Sequence, residues 1–148
     1  MSIIFEKTDS MDTEYVSYQI TNDAKEDIGT AEGSGNKNGK FVSIIKIYNP
    51  KFQKAGLGFI SFKKVFDEIN SNRPISIIQA SWHKGGEFKD FEKGMSTNLL
   101  IFKNNLSVMS EKESIFSTPT GKWVQKIGFN NYEIVSNTDE EVIINFTN

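Results

Sequence analysis

Cysteine is absent from this 148-residue chain. Disulfides, thiolate nucleophiles and cysteine-bound zinc are therefore excluded. His83 is the only histidine, which rules out a multi-histidine metal centre; no metal site is expected. A Ser-His-Asp triad would have to use this one residue. Arg73 is the only arginine and the lysines are scattered. That leaves no basic stripe to follow a nucleic-acid backbone. No apolar run approaches the ~20 residues of a membrane span. Met1 to Asp12 lacks the basic segment and apolar stretch of a signal peptide. These absences predict a cytoplasmic protein with neither a nucleic-acid nor a membrane partner. The length fits one domain over 1–148.

What is present is organised by period. Glu14 to Ile20 alternates with a period of two and reads as a strand. Ile28 to Gly33 is a second short strand, followed by the loop Ser34 to Lys40, rich in glycine and asparagine. Phe41 to Tyr48 is the strongest strand, nearly continuous in apolar character, and Asn49-Pro50 stops it. These three strands predict an antiparallel meander. From Gly56 to Asn70 the period changes: Leu57, Ile60, Ser61, Lys64, Val65, Glu68 and Ile69 fall at helical spacing. Ser71 to Pro74 ends that helix, and Ile75 to Trp82 is another buried strand. Strand, helix, strand is a βαβ unit with parallel strands.

Further on, the residues from Lys84 to Glu113 are the least patterned. Leu99, Leu100, Phe102, Leu106 and Met109 mark one short helix there. Thr118-Pro119 reads as a helix N-cap with proline at the first helical position. The helix runs from Gly121 to Ile127, and Gly128 caps its end. Tyr132 to Val135 and Val142 to Phe146 form a final hairpin. The fold class is α/β (α+β): an antiparallel N-terminal meander, a βαβ unit and a C-terminal hairpin in one mixed sheet.

The segment Gln53-Lys54-Ala55-Gly56-Leu57-Gly58 lies between the strongest strand and its helix. A helix's first turn leaves backbone N–H groups unpaired, and the helix dipole adds roughly half a positive charge there. Two glycines let an anion approach that backbone closely. The spacing is neither that of a P-loop nor that of the three-glycine dinucleotide fingerprint.

The segment instead resembles the Gln/Arg-x-x-Gly-x-Gly/Ala signature of the GCN5-related N-acetyltransferase (GNAT) superfamily. Lys126-Ile127-Gly128-Phe129 is similar to the lysine-apolar-Gly-Phe end of that family's later helix. The order of elements between the two motifs also matches. The resemblance implies a divergent GNAT protein, an acyl-coenzyme A-dependent N-acyltransferase using acetyl-CoA or coenzyme A. It implies that residues 53–58 hold the pyrophosphate: Gln53, Lys54, Ala55, Gly56, Leu57 and Gly58. It also implies that the pantetheine arm enters a gap between the family's fourth and fifth strands, here Phe41 to Tyr48 and Ile75 to Trp82. There it would pair with backbone at Ile45 and Ile47 of the fourth. Ser117 or Thr118 stands where the family often has an asparagine, which makes Ser117 a further cofactor contact.

The catalytic pattern departs from the family's. Val124 occupies the position where a tyrosine often serves as general acid, and the fourth strand carries no carboxylate. His83, after the fifth strand, is the local candidate base, histidine being the commonest general base. Glu32 is the other candidate, acting through a water. Trp82, Trp123 and Tyr48 read as core or rim. The acceptor implied is a small-molecule or protein amine. The 84–113 insertion reads as a lid over the acceptor or as a homodimer contact. A second reading is a non-catalytic binding or regulatory domain on the same fold.

Overall fold

The structure is a computed structural model describing residues 2–12 and 14–148. Among these residues the chain forms seven strands and four α-helices. It divides into two compact units, Met1–Ser76 and Ile77–Asn148.

In the first unit the strands are β1 (Ile3–Asp12), β2 (Tyr15–Asn22), β3 (Gly29–Gly35) and β4 (Lys40–Ile47). The helix α1 (Leu57–Asn72) follows β4. The strands pair antiparallel in the order β1-β2-β3-β4, so the meander has four strands where the sequence predicts three. The additional strand, β1, pairs Phe5 with Ile20, and its register shifts between Lys7 and Asp9. Met1, the first residue of the segment read as lacking a leader, lies outside the described residues.

One face of this sheet carries the core. Val16, Tyr18, Ile20, Ala31 and Phe41 are buried there, with Phe62, Val65, Phe66 and Ile69 from the apolar side of α1. The Phe41 ring meets Phe62 and Phe66 edge-on, at centroid distances of 6.0 and 5.5 Å. Gly33 permits this packing: a Cβ there would stand 2.9 Å from the Phe41 ring.

The second unit contains β5 (Ile77–His83), α2 (Thr97–Asn105), α3 (Glu111–Phe116), α4 (Pro119–Lys126), β6 (Asn131–Asn137) and β7 (Glu141–Thr147). β7 pairs antiparallel with both β5 and β6. The predicted short helix is α2. The helix α3 adds to the prediction, and its signature is local. Ser110 Oγ accepts from the Glu113 amide at 3.1 Å and donates to Glu113 Oε1 at 2.9 Å. The first bond is a serine N-cap, and the second holds the capping hydroxyl through the Glu113 carboxylate.

Thr118 caps α4 as its sequence predicts, with proline at the first helical position. Its buried hydroxyl donates to Ile115 O at 2.7 Å and accepts from the Gly121 amide at 2.9 Å. Thr118→Ala removes both bonds and is expected to cost about 1–2 kcal/mol, read as a lowered midpoint in urea unfolding.

The family-like end of α4 also has a structural cause. Gly128 adopts φ +94°. The Phe129 amide donates to Val124 O at 2.9 Å, and the Gly128 amide to Gln125 O at 3.1 Å. This is a Schellman cap, with Phe129 buried beside it.

Candidate functional site: the turn between β4 and α1

The turn is built by three devices. Asn49 caps the 3-10 turn Pro50–Phe52, its Oδ1 accepting from the Lys51 amide at 3.1 Å. The Asn49 side-chain amide also donates to Asp27 O at 2.9 Å. Phe52 is buried and anchors the turn, while Gln53, Lys54, Ala55 and Gly56 remain exposed. Gly56 then takes a left-handed conformation, φ +76° and ψ 8°, as the N-cap of α1. A non-glycine residue would be strained there.

This arrangement leaves the helix start bare. Gly56 provides no side-chain cap, and the first turn of α1 holds no acidic residue. A Cβ on Gly56 would meet nothing within 4 Å, so the space in front of the cap is open. Leu57 turns inward and is buried, and Gly58 occupies the first turn. The first-turn amides and the helix dipole together favour an anion at this place. Lys54, in the exposed part of the turn, adds a positive charge.

The turn is tied to the strand before it. Gln53 Nε2 donates to Ile47 O at 3.1 Å. That contact also reports which way β4 presents its backbone. The Asn36 amide donates to Lys40 O at 3.0 Å across the β3–β4 turn. With the register Glu32↔Ile44 and Ala31↔Ile45, Lys40, Val42, Ile44 and Lys46 direct their backbone groups to β3. By alternation, Ile45 and Ile47 direct theirs away from it. A ligand pairing with Ile47 would share its carbonyl with Gln53, which its two lone pairs permit. The structure thus brings together Gln53 to Gly58 with the end of β4.

Other candidates lie on other elements. Glu32 is half-buried on β3, and its Oε2 accepts from the Tyr15 hydroxyl at 2.8 Å. His83 ends β5; its ring packs edge-on against Phe88 at 5.0 Å. The carbonyl of His83 accepts from the Ser96 amide at 3.1 Å. Residues from Lys84 to Met95 form a closed loop, joined at its neck by a Lys84–Met95 bridge and a Gly85-to-Gly94 hydrogen bond of 2.8 Å.

Ser117 is the C-cap of α3. Its hydroxyl donates to Ser114 O at 2.7 Å and accepts from Asn105 Nδ2 at 2.8 Å. Val124 is fully buried. Trp82 is buried against Phe102. Tyr48 donates to Asp27, and that bond to a carboxylate raises its pKa above the ordinary tyrosine value. Tyr15, the partner of Glu32, is a residue that sequence reasoning does not single out; only the strand register places it.

No described helix is long and apolar enough to cross a membrane. Among the described residues, no group of three or more histidine, cysteine or acidic side chains could hold a metal ion.

Two solved structures of GNAT-family acetyltransferases share this fold. A GNAT-family acetyltransferase from Desulfovibrio desulfuricans aligns with a TM-score of 0.52 at 13% identity, over 90% of this chain and 69% of that one. One from Streptococcus pneumoniae gives 0.50 at 10% identity, over 93% and 70%. A streptothricin acetyltransferase from Bacillus anthracis, in complex with acetyl coenzyme A, gives 0.49 at 12% identity. There the alignment covers 93% of this chain but only 64% of that one. No family model and no curated protein matches the sequence.

Proposed function

We propose that this chain is an acyl-coenzyme A-dependent N-acyltransferase. The observation that carries the proposal is the bare, left-handed Gly56 cap at the start of α1, directly after β4. Residues 53–58 would hold the cofactor's pyrophosphate on first-turn amides, and the pantetheine arm would pair with β4 backbone at Ile45 and Ile47 as an added strand does.

In the reaction, the lone pair of an amine attacks the thioester carbonyl. A C–N bond forms, the C–S bond breaks from the tetrahedral intermediate, and the coenzyme leaves as a thiolate that takes up a proton. The acceptor arrives as an ammonium ion and must lose a proton first. Two side chains are proposed for that step, Glu32 and His83. Val124 has no hydroxyl to serve as acid. Glu32→Gln and His83→Ala should each retain coenzyme A affinity, and loss of the base should lower kcat by about 100-fold or more. Stopped-flow detection of released thiol, with cofactor affinity measured in parallel, separates the two.

The cheapest test is thermal melting with acetyl-CoA. Ligand at about 100 times its Kd should add ~2.7 kcal/mol of stability. Unchanged melting with acetyl-, succinyl- and free coenzyme A would count heavily against the proposal. The second reading, a non-catalytic domain on this fold, is favoured by the buried Val124 and the carboxylate-free β4. Coenzyme A binding without transfer to any amine would support it.

A further inference from the structure

The face of the first unit's sheet that points away from α1 carries two aliphatic side chains where an uncovered sheet would carry polar ones. Val42 is 40% exposed and Ile44 is 51% exposed, two residues apart on one strand. Val42 stands opposite Ser34 and Ile44 opposite Glu32, while Tyr15 stands opposite Ser34 from the other side. Val42 and Ile44, with Ser34, Glu32 and Tyr15, thus lie in two adjacent cross-strand rows. Side chains directly opposite in such rows are about 4.5–5.5 Å apart at Cβ.

Glu32 is the carboxylate directly opposite Ile44. It is half-buried, and the Tyr15 hydroxyl holds its Oε2 at 2.8 Å. A carboxylate held in place beside an exposed aliphatic wall matches a particular ligand: one positive charge attached to an apolar body. Lys46 comes next along the same face of β4, and a second ammonium group on the ligand would meet its like charge.

We propose that Tyr15, Glu32, Val42 and Ile44 form a binding site for a primary amine with a single charge and an apolar body. This amine is the acceptor for the proposed acyl transfer. The ammonium group binds Glu32, and the apolar body lies on Val42 and Ile44. The acceptor role rests on the acyltransferase reading; β4 would then hold the pantetheine arm through the backbone of the same stretch. The binding site itself stands on the geometry of the first unit.

Methyl-resolved NMR of the full chain tests it, with and without acetyl-CoA. Phenethylammonium, ethylammonium, spermidine and phenylacetate are the probes, at up to millimolar concentration. Phenethylammonium should shift the Val42 and Ile44 methyl signals at about 10-fold lower concentration than ethylammonium or spermidine. Phenylacetate should leave them in place. Glu32→Gln and Ile44→Ser should each weaken the phenethylammonium effect about 10-fold. Both residues lie outside the buried core, and circular dichroism verifies the fold of each variant.

Unmoved Val42 and Ile44 methyls, or a stronger response to spermidine, would overturn the site. Released thiol, followed in the same samples, reads the other proposal. Methyl shifts without coenzyme A binding leave the amine site standing and remove the acyltransferase. Transfer to spermidine with unmoved methyls does the reverse.

Discussion

Gly58→Glu is expected to weaken coenzyme A binding by at least about 100-fold, or ~2.7 kcal/mol, in a protein that still folds. Gly58 lies in the first turn of α1, where no acidic residue now stands. A glutamate there puts a bulky side chain and a negative charge beside the bound phosphates, in a position where the first-turn amides should serve the ligand. The helix itself tolerates the change, because an acidic side chain suits a helix N-terminus and glycine is a poor helix former. Gly56→Glu should also lose affinity, with an added stability cost of about 1 kcal/mol from its left-handed backbone. A Cβ at Gly56 has open space around it, so crowding adds nothing to that cost. Calorimetric titration and a melting curve on each variant separate the two effects. Normal affinity in a folded Gly58→Glu protein would mean that the glycines serve packing.

Phe41→Ala is the substitution expected to cost most stability, about 3–5 kcal/mol. Phe41 is fully buried and sits between Phe62 and Phe66 of α1. Truncation leaves a cavity that Gly33, lacking a side chain, cannot fill. A domain's total stability is about 5–15 kcal/mol, so the loss is a large share of it. The urea midpoint should fall sharply with little change in slope. A loss below about 1 kcal/mol would show that α1 closes onto the sheet without the ring, contrary to the packing described here.

What was legible in the sequence followed from local rules. The strand β4 reads as an apolar run, α1 as a helical stripe, and α4 as a threonine-proline start with a glycine stop. Each signal is contained in its own segment, and each element lies within a few residues of its expected place. The strand β1 is different. After Ile3-Ile4-Phe5 it turns to Glu6, Lys7 and Thr8, because an edge strand need bury little of itself. It is held by pairing with β2 and by the edge-on contact of Phe5 with Tyr18 at 6.1 Å. The short helix α3 was readable in principle, from Ser110 and Glu113, but six residues are too few for a period to stand out.

The candidate site divides the same way. The Gln53 to Gly58 segment is contiguous and was visible as a motif. The link from Gln53 to the Ile47 carbonyl was not, nor was the left-handed backbone of Gly56. The pairing of Tyr15 with Glu32 spans 17 residues and depends on strand register, which a single sequence leaves open.

In the proposed acyltransferase the start of α1 binds a coenzyme A pyrophosphate. Isothermal titration of the full chain with acetyl-CoA, run beside Gly58→Glu, tests it most directly. Saturable binding of one cofactor per chain, lost in the variant, is the predicted result. The same flat trace from both proteins, with acetyl-, succinyl- and free coenzyme A alike, would contradict it.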